Sequence, residues 1–348
     1  MANLGVDFYE SGIGDTIVIT FPSGGIGIVD AHPSSCHSRA DIRDIISGKK
    51  IHFVCLTHPH TDHAEDLVAV INSPESIEEF WSPVPDVQMF TSTLLKFQNF
   101  PSPLSDRVKA INEARAKVFV SLFSGVAQRS QRAGEVPFEA GPFSSDHKLR
   151  TIDGVEIHCL SPSQSMLNQE RNAYMQRSSG TKQRMPNPNP LSIVLALKYG
   201  GMTVLLGADA LKEQWTAASK TFDERRLPKA VLLKVPHHGA ANSFNFSKGK
   251  NYLDLCSTSP RTKAVLFAGD QDHPDKRVFE KLLEKADVCC LANGRKSDPT
   301  NNPLGLPVLG ATAAAPAPLC NPHISFSLDG TGGFKQTKGV RICSDCFA

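Results

Sequence analysis

Ile51-His52-Phe53-Val54-Cys55-Leu56-Thr57-His58-Pro59-His60-Thr61-Asp62-His63 decides how the rest of the chain is read. Its first half, Ile51–Leu56, is an apolar, β-prone run of the kind that forms a buried strand. The run ends in three imidazoles and one carboxylate packed between His58 and His63. A lone histidine is most often structural. Four nitrogen and oxygen donors at one strand end are different, because a short loop can turn alternate side chains toward one cavity, and such donors suit zinc, manganese or iron.

Upstream, glycines and Pro22 punctuate β-rich runs at Thr16–Thr20 and Gly27–Val29, the pattern of successive hairpin strands. Asp41–Ser47 has a short helical pattern, and Ala64–Ile71 is expected to form a helix after the histidine cluster. Downstream, Thr91–Val126 carries helical patterns, Ser105–Phe123 most clearly, and with the polar stretch to Lys148 is expected to be an insertion near 91–148. Strands are expected at Val155–Leu160, Ser192–Leu197, Thr203–Leu206, Ala230–Val235 and Ala264–Phe267, with a helix across Val278–Lys285. Three of them end in chemistry-bearing residues: Asp209 after Leu206, His237 and His238 after Val235, and Asp270 and His273 after Phe267. Layered α/β folds collect their sites at such strand ends.

The 348 residues can bury one substantial core. With 40% hydrophobic and 21% charged residues the composition is that of a folded globular protein rather than a disordered or fibrous chain. The 37 Lys and Arg nearly balance the 35 Asp and Glu, so net charge leaves no footprint of a dedicated nucleic-acid-binding protein, and any basic surface must be local. One local candidate is Arg171–Arg184, with Arg171, Arg177, Lys182, Arg184 and Tyr174 and no acid, which can hold a charged backbone or be a solvated loop. No secretory signal and no membrane span are read, and nine cysteines in odd number fit reduced thiols, so a cytoplasmic location is expected.

His58–His63 matches the His-x-His-x-Asp-His signature of metallo-β-lactamase-fold hydrolases, and Asp30, Asp209 and His237 follow in the order that family shows. Within it the chain resembles most the hydrolase domain of the ComEC-type DNA-uptake proteins and their soluble relatives. Phe8–Asp15 is similar to their glycine-aspartate opening, Leu233–Gly239 to their second histidine motif, and Asp272-His273-Pro274 to a late Gly-His-Pro-like site. The resemblance implies an α/β fold, the αββα sandwich, here a catalytic domain over 1–296 with the helical insertion. It also implies two divalent ions, zinc or manganese, with a hydroxide generated from bound water attacking a phosphodiester of nucleic acid or a nucleotide. His58 and His60 would hold one ion, Asp62, His63 and His237 a second, and Asp209 would bridge. Asp62, Asp209, His238 and His273 are the residues expected to act in catalysis, and Asp15 and Asp30 to orient ligands or cap turns. Alternatives left open are a small acyl substrate such as a lactone or thioester, and a regulatory protein with a degenerate site.

One departure stands out. Many relatives place a further histidine before the strand at Ser192, whereas this chain reads Asn187-Pro188-Asn189-Pro190-Leu191. ComEC-like proteins resemble it in using polar Asn and Ser here. His158, in the preceding strand, is a candidate substitute, with a structural role as the alternative. At the C-terminus, 297–318 is low in complexity and is read as a linker or loop. In 319–348, Cys320, His323, Cys343 and Cys346 supply the ligand types of a Cys3His zinc site, while His323–Phe334 also reads as a hairpin closing the main domain. Cys289 and Cys290 are expected to face the core.

Overall fold

The computed structural model describes residues 2–34, 41–84, 86–98, 106–131, 138–147, 149–178, 187–247, 249–267, 273–291 and 323–338. Two sheets form its centre. The first contains β1 (Leu4–Tyr9), β2 (Ile17–Thr20), β3 (Ile26–Val29), β4 (Ile51–Cys55), β5 (Ile77–Ser82), β6 (Glu139–Pro142), β14 (His323–Leu328) and β15 (Phe334–Lys338), in the order β15-β14-β1-β2-β3-β4-β5-β6. The second contains β7 (Arg150–Ile152), β8 (Val155–Ser161), β9 (Val194–Tyr199), β10 (Met202–Leu206), β11 (Ala230–Lys234), β12 (Thr262–Phe267) and β13 (Ala286–Leu291), in the order β13-β12-β11-β10-β9-β8-β7. The strands from β3 to β6 and from β10 to β13 pair in parallel, and the remaining pairs are antiparallel.

Both faces of both sheets are covered, which is why the central strands read as continuous apolar runs rather than as alternating ones. In β4, Phe53 and Cys55 enter the core between the sheets, while Ile51 and Val54 pack outward against helices. In β10, Val204 and Leu206 face the central core and Leu205 the outer layer. The outer layer of the first sheet is built from α1 (Ile42–Ile46), α3 (Leu67–Ile71), α4 (Val87–Gln98) and α5 (Asp106–Ser130). That of the second sheet comes from α7 (Lys212–Glu224) and α8 (Lys276–Lys285), with Trp215, Phe222, Val278 and Leu282 at the contact. The result is the αββα sandwich that the sequence led us to expect. Each fully buried Leu, Val or Phe contributes about 1.5–3 kcal/mol of transfer free energy, so the fold rests on its three apolar layers.

Several details differ from the sequence reading. Ala64–Ile71 is not one helix: α2 (Thr61–Ala64) starts within the histidine cluster and breaks before α3. The stretch near 91–148 is not purely a helical insertion, because its helices begin at Val87 and it returns an edge strand, β6, to pair with β5. The guanidinium of Arg129 in α5 donates to the backbone carbonyls of Ile71, Ser73 and Glu75, tying the insertion to the carboxyl end of α3. Arg171 lies on a helix, α6 (Gln164–Ser178), rather than on a solvated loop, and its guanidinium reaches to within 4.0 Å of Asp86. Lys182 and Arg184 lie outside the described residues.

The hairpin of β14 and β15 pairs with β1 across the sheet edge. His323 belongs to that hairpin. Its Nε2 is 2.9 Å from Asp7 Oδ1, and its ring stacks on Tyr9 at 4.5 Å. Cys320, Cys343, Cys346 and the 297–318 segment lie outside the described residues. Cys289 and Cys290 are buried on opposite faces of β13, facing the core as the sequence reading expects. Among the described residues no helix is long and apolar enough to cross a membrane.

Candidate metal centre

The carboxyl ends of β3, β4, β10 and β11 lie along one rim of the sandwich, and each carries a polar residue that the loop beyond the strand turns inward. Asp30 follows β3 with a left-handed backbone (φ 54°), and Ala208, His237 and His238 share that conformation (φ 45°, 47° and 51°). Non-glycine residues reach this region at a cost of order 1–3 kcal/mol each, which the surrounding structure must support. Here the support is explicit. The Asp30 amide donates to Cys55 O at 2.8 Å, the His237 amide to Ala208 O at 2.9 Å, and the Ile193 amide to Thr57 O at 2.9 Å, which joins the two sheets at the site.

Asp30 sets the orientation of the histidine cluster. It is buried, and its Oδ1 accepts the Thr57 amide at 2.7 Å. Its Oδ2 accepts the Thr57 hydroxyl at 2.6 Å and faces His63 Nδ1 at 2.7 Å. Because the Thr57 hydroxyl proton goes to Asp30, its oxygen is left to accept from His58 Nδ1, 3.1 Å away. Both rings therefore carry a proton on Nδ1 and turn Nε2 inward. Asp30 is thus an orienting residue that touches the ligands from behind, as expected from the sequence.

The free nitrogens converge on Asp209. Its Oδ2 is 3.8 Å from His58 Nε2, 3.7 Å from His63 Nε2 and 3.8 Å from His237 Nε2, and its Oδ1 is 3.9 Å from His238 Nε2. His60 Nδ1 faces His58 Nε2 at 3.1 Å, and Asp62 Oδ2 lies 3.7 Å from His63 Nε2. His63 Nε2, Asp209 Oδ1 and both ring nitrogens of His238 are buried with no hydrogen-bond partner. Unpaired buried polar atoms are costly, and a set of them aimed at a common space fits divalent cations held by nitrogen and oxygen donors. Three donor groups lie close together: His58, His63 and Asp209; Asp62, His63 and His238; and Asp15, Asp30 and His63. His238, the neighbour of His237, is the one grouped with Asp62 and His63.

The electrostatics differ from ring to ring. Burial, reinforced by the neighbouring His63 charge, holds His58 well below its ordinary pKa, and burial lowers His60 to about 4, so both are neutral donors near neutral pH. Burial also lowers His237. At His63 burial opposes the charged form, but Asp30, Asp209 and Asp62 outweigh it and raise the pKa well above the usual value. Burial works against ionisation of Asp209, yet His63, His238 and Lys234 keep it well below the ordinary carboxylate range.

Lys234 escaped the sequence reading. It is fully buried, is ion-paired with Asp15, stands 3.6 Å from Asp209 Oδ1 and donates to Ala208 O at 2.8 Å. The available signal was a lysine inside an apolar strand covered on both faces, which must find a carboxylate. Asp15 is brought in by the β1–β2 turn, where Gly14 lies so close to the Asp62 carbonyl that a Cβ would sit 1.8 Å from its oxygen. Asn189 stands where the further histidine was missed: it is buried, its Nδ2 is 3.2 Å from His237 Nε2, and its Oδ1 has no partner. His158 does not substitute for that histidine, since its ring nitrogens meet Glu156 at 3.3 Å and Arg225 at 3.3 Å. The His273 ring lies 5.7 Å from that of His237, and its Nδ1 is buried without a partner. Asp270 and Asp272 lie outside the described residues.

The fold and the site together define an αββα sandwich with a histidine-aspartate centre at its strand ends. No protein-family model and no curated protein matches the chain. Among solved structures it is similar to Igni18, a metallo hydrolase from the archaeon Ignicoccus hospitalis, at 12% identity over 82% of this chain and 94% of that one, with a TM-score of 0.39. It is also similar to Zn2+-bound PqqB from Methylobacterium extorquens, at 11% identity over 82% of this chain and 97% of that one, with a TM-score of 0.40.

Proposed function

We propose that the chain is a metal-dependent hydrolase that uses two divalent ions, zinc or manganese, to cleave phosphodiesters, with nucleic acid or a nucleotide as substrate. The observation that carries this reading is the Asp209 carboxylate, buried and approached from both of its oxygens by the imidazoles of His58, His63, His237 and His238. A carboxylate so placed can serve two ions at once. When bound, the ions supply Lewis-acid stabilisation of charge developing on a phosphoryl group and a water of lowered pKa.

The chain's own residues supply position and charge balance. Asp30 and Thr57 keep the Nε2 atoms of His58 and His63 turned inward. Lys234 compensates Asp15 and one oxygen of Asp209, so the carboxylates do not repel one another when no cation is near. His273, beside His237 and with a free buried nitrogen, is placed to meet a phosphoryl oxygen or to carry a proton to the leaving group. The preference for a phosphodiester over an acyl substrate rests on the resemblance of Phe8–Asp15 and Leu233–Gly239 to the ComEC-type hydrolase domain.

The test is a substrate panel on metal-stripped protein with Mn2+ or Zn2+ restored: single- and double-stranded DNA, RNA, a model phosphodiester, a lactone and a thioester, with Asp209→Ala alongside. Metal-dependent phosphodiester cleavage that is lost in the variant is the expected result. Cleavage of the acyl substrates alone would replace the substrate class, and a folded, metal-loaded protein inert on all of them would leave a regulatory role.

A further inference from the structure

The histidine pair at residues 237 and 238 occupies an unusual stretch of backbone. Two consecutive non-glycine residues adopt left-handed conformations, φ 47° and 51°, directly after the β11 strand and Pro236. The rings are thereby splayed, with centroids 6.5 Å apart and planes at 59°. That separation turns sequence neighbours toward different parts of the site.

The surroundings of the two rings differ accordingly. His237 Nε2 points to Asp209 Oδ2, the oxygen that also faces His58 Nε2 and His63 Nε2, whereas among these rings His238 Nε2 points to Oδ1. His58 in turn faces His60 across 3.1 Å, the spacing of two nitrogens directed at one centre. On the other side, His238 lies within one donor group with Asp62 and His63. His237 also touches Asn189, through Nε2 and Nδ2 at 3.2 Å. Asn189 Oδ1 is buried without a partner, so a half-turn of the amide places an oxygen rather than an N–H beside that ring nitrogen.

We infer that His237 and His238 divide between two metal positions: His237 completes the first with His58 and His60, assisted by Asn189 Oδ1, and His238 completes the second with Asp62 and His63. Asp209 spans the two. This assignment rests on the two-metal reading above, and it assigns the role of the missing histidine before β9 to the neighbouring loop. His63 is the shared boundary, since its Nε2 stands 3.7 Å from both Asp62 Oδ2 and Asp209 Oδ2.

Metal counting in paired variants tests it. Full-length protein and the variants His58→Ala, His237→Ala, His238→Ala, His58→Ala/His237→Ala and His58→Ala/His238→Ala are dialysed against Zn2+, and bound zinc is measured by elemental analysis, with circular dichroism to verify folding. Loss of two ligands from one position leaves the other ion in place. The first double variant therefore keeps one ion and the second keeps none, while the wild type binds two. Any double variant that fails to fold is replaced by the corresponding His→Asn pair and read by Co2+ absorption, where the first pair retains one visible band set and the second retains none.

The reverse pattern, or a wild type that binds a single ion, overturns the assignment. A wild type that binds two ions in the expected pattern but cleaves no phosphodiester overturns the proposed function and leaves the assignment standing. A wild type that binds no ion overturns both.

Discussion

Asp30 Oδ2 faces His63 Nδ1 at 2.7 Å, and the same oxygen takes the Thr57 hydroxyl proton at 2.6 Å. One carboxylate thus fixes the tautomer of His63 directly and that of His58 through Thr57. Asp30→Asn keeps the size of the side chain but offers an N–H to one of these partners. Outer partners of metal ligands typically contribute 10–100-fold to affinity. The expected outcome is a fall of roughly that size in Zn2+ affinity by calorimetry, with the sandwich intact by circular dichroism. Unchanged affinity would show that the histidines hold their direction without Asp30.

Lys234 and Asp15 form an ion pair with no exposed surface to speak of. Removing one partner of a buried pair leaves the other charge uncompensated, at about 3–5 kcal/mol. Lys234→Met is expected to lower the unfolding free energy from urea denaturation by an amount of that order, and Lys234→Met with Asp15→Asn to recover part of the loss. If the double variant is no more stable than the single one, the pair is not the origin of the effect.

Gly14→Ala forces a methyl group into the Asp62 carbonyl and toward His32 Cβ, at 1.8 Å and 2.7 Å before any movement. The β1–β2 turn and α2 must separate, at about 1–3 kcal/mol. Because α2 carries Asp62 and His63, weaker metal binding is expected together with a lower melting temperature. A variant with normal melting and normal metal content would mean that this close approach is not required.

His323→Ala removes the contact with Asp7 and the stack on Tyr9. Loss of about 1–2 kcal/mol is expected from the hydrogen bond, with no change in ions bound per chain. A drop in bound zinc would instead restore His323 to a tail zinc site.

Much of the centre was legible because its chemistry is local. His58–His63 is one continuous run, and Asp209 and the His237–His238 pair each end an apolar strand. What stayed hidden depended on direction or on masking. Adjacent residues 237 and 238 serve different neighbours only because both backbones are left-handed, which sequence spacing does not reveal. β5 was missed because Glu78 and Glu79 interrupt its apolar pattern, although these carboxylates are half-buried and meet His52 and Arg150. α6 carries few apolar residues, Leu167 being its fully buried one among the described side chains, so its segment resembled a charged loop. Lys234 lies in a strand whose residues are all buried, and its pairing with Asp15 depends on the β1–β2 turn, which is remote in sequence.

The claim at the centre of this account is that Asp209 joins two ions into one phosphodiester-cleaving site. The most direct measurement is the rate of hydrolysis of a model phosphodiester against ions bound per chain, for the wild type and for Asp209→Ala under conditions where both are folded. The account predicts that the rate rises only as the second ion binds and that Asp209→Ala has no detectable rate at any loading. A full rate with one ion bound, or cleavage by Asp209→Ala comparable to that of the wild type, would contradict it.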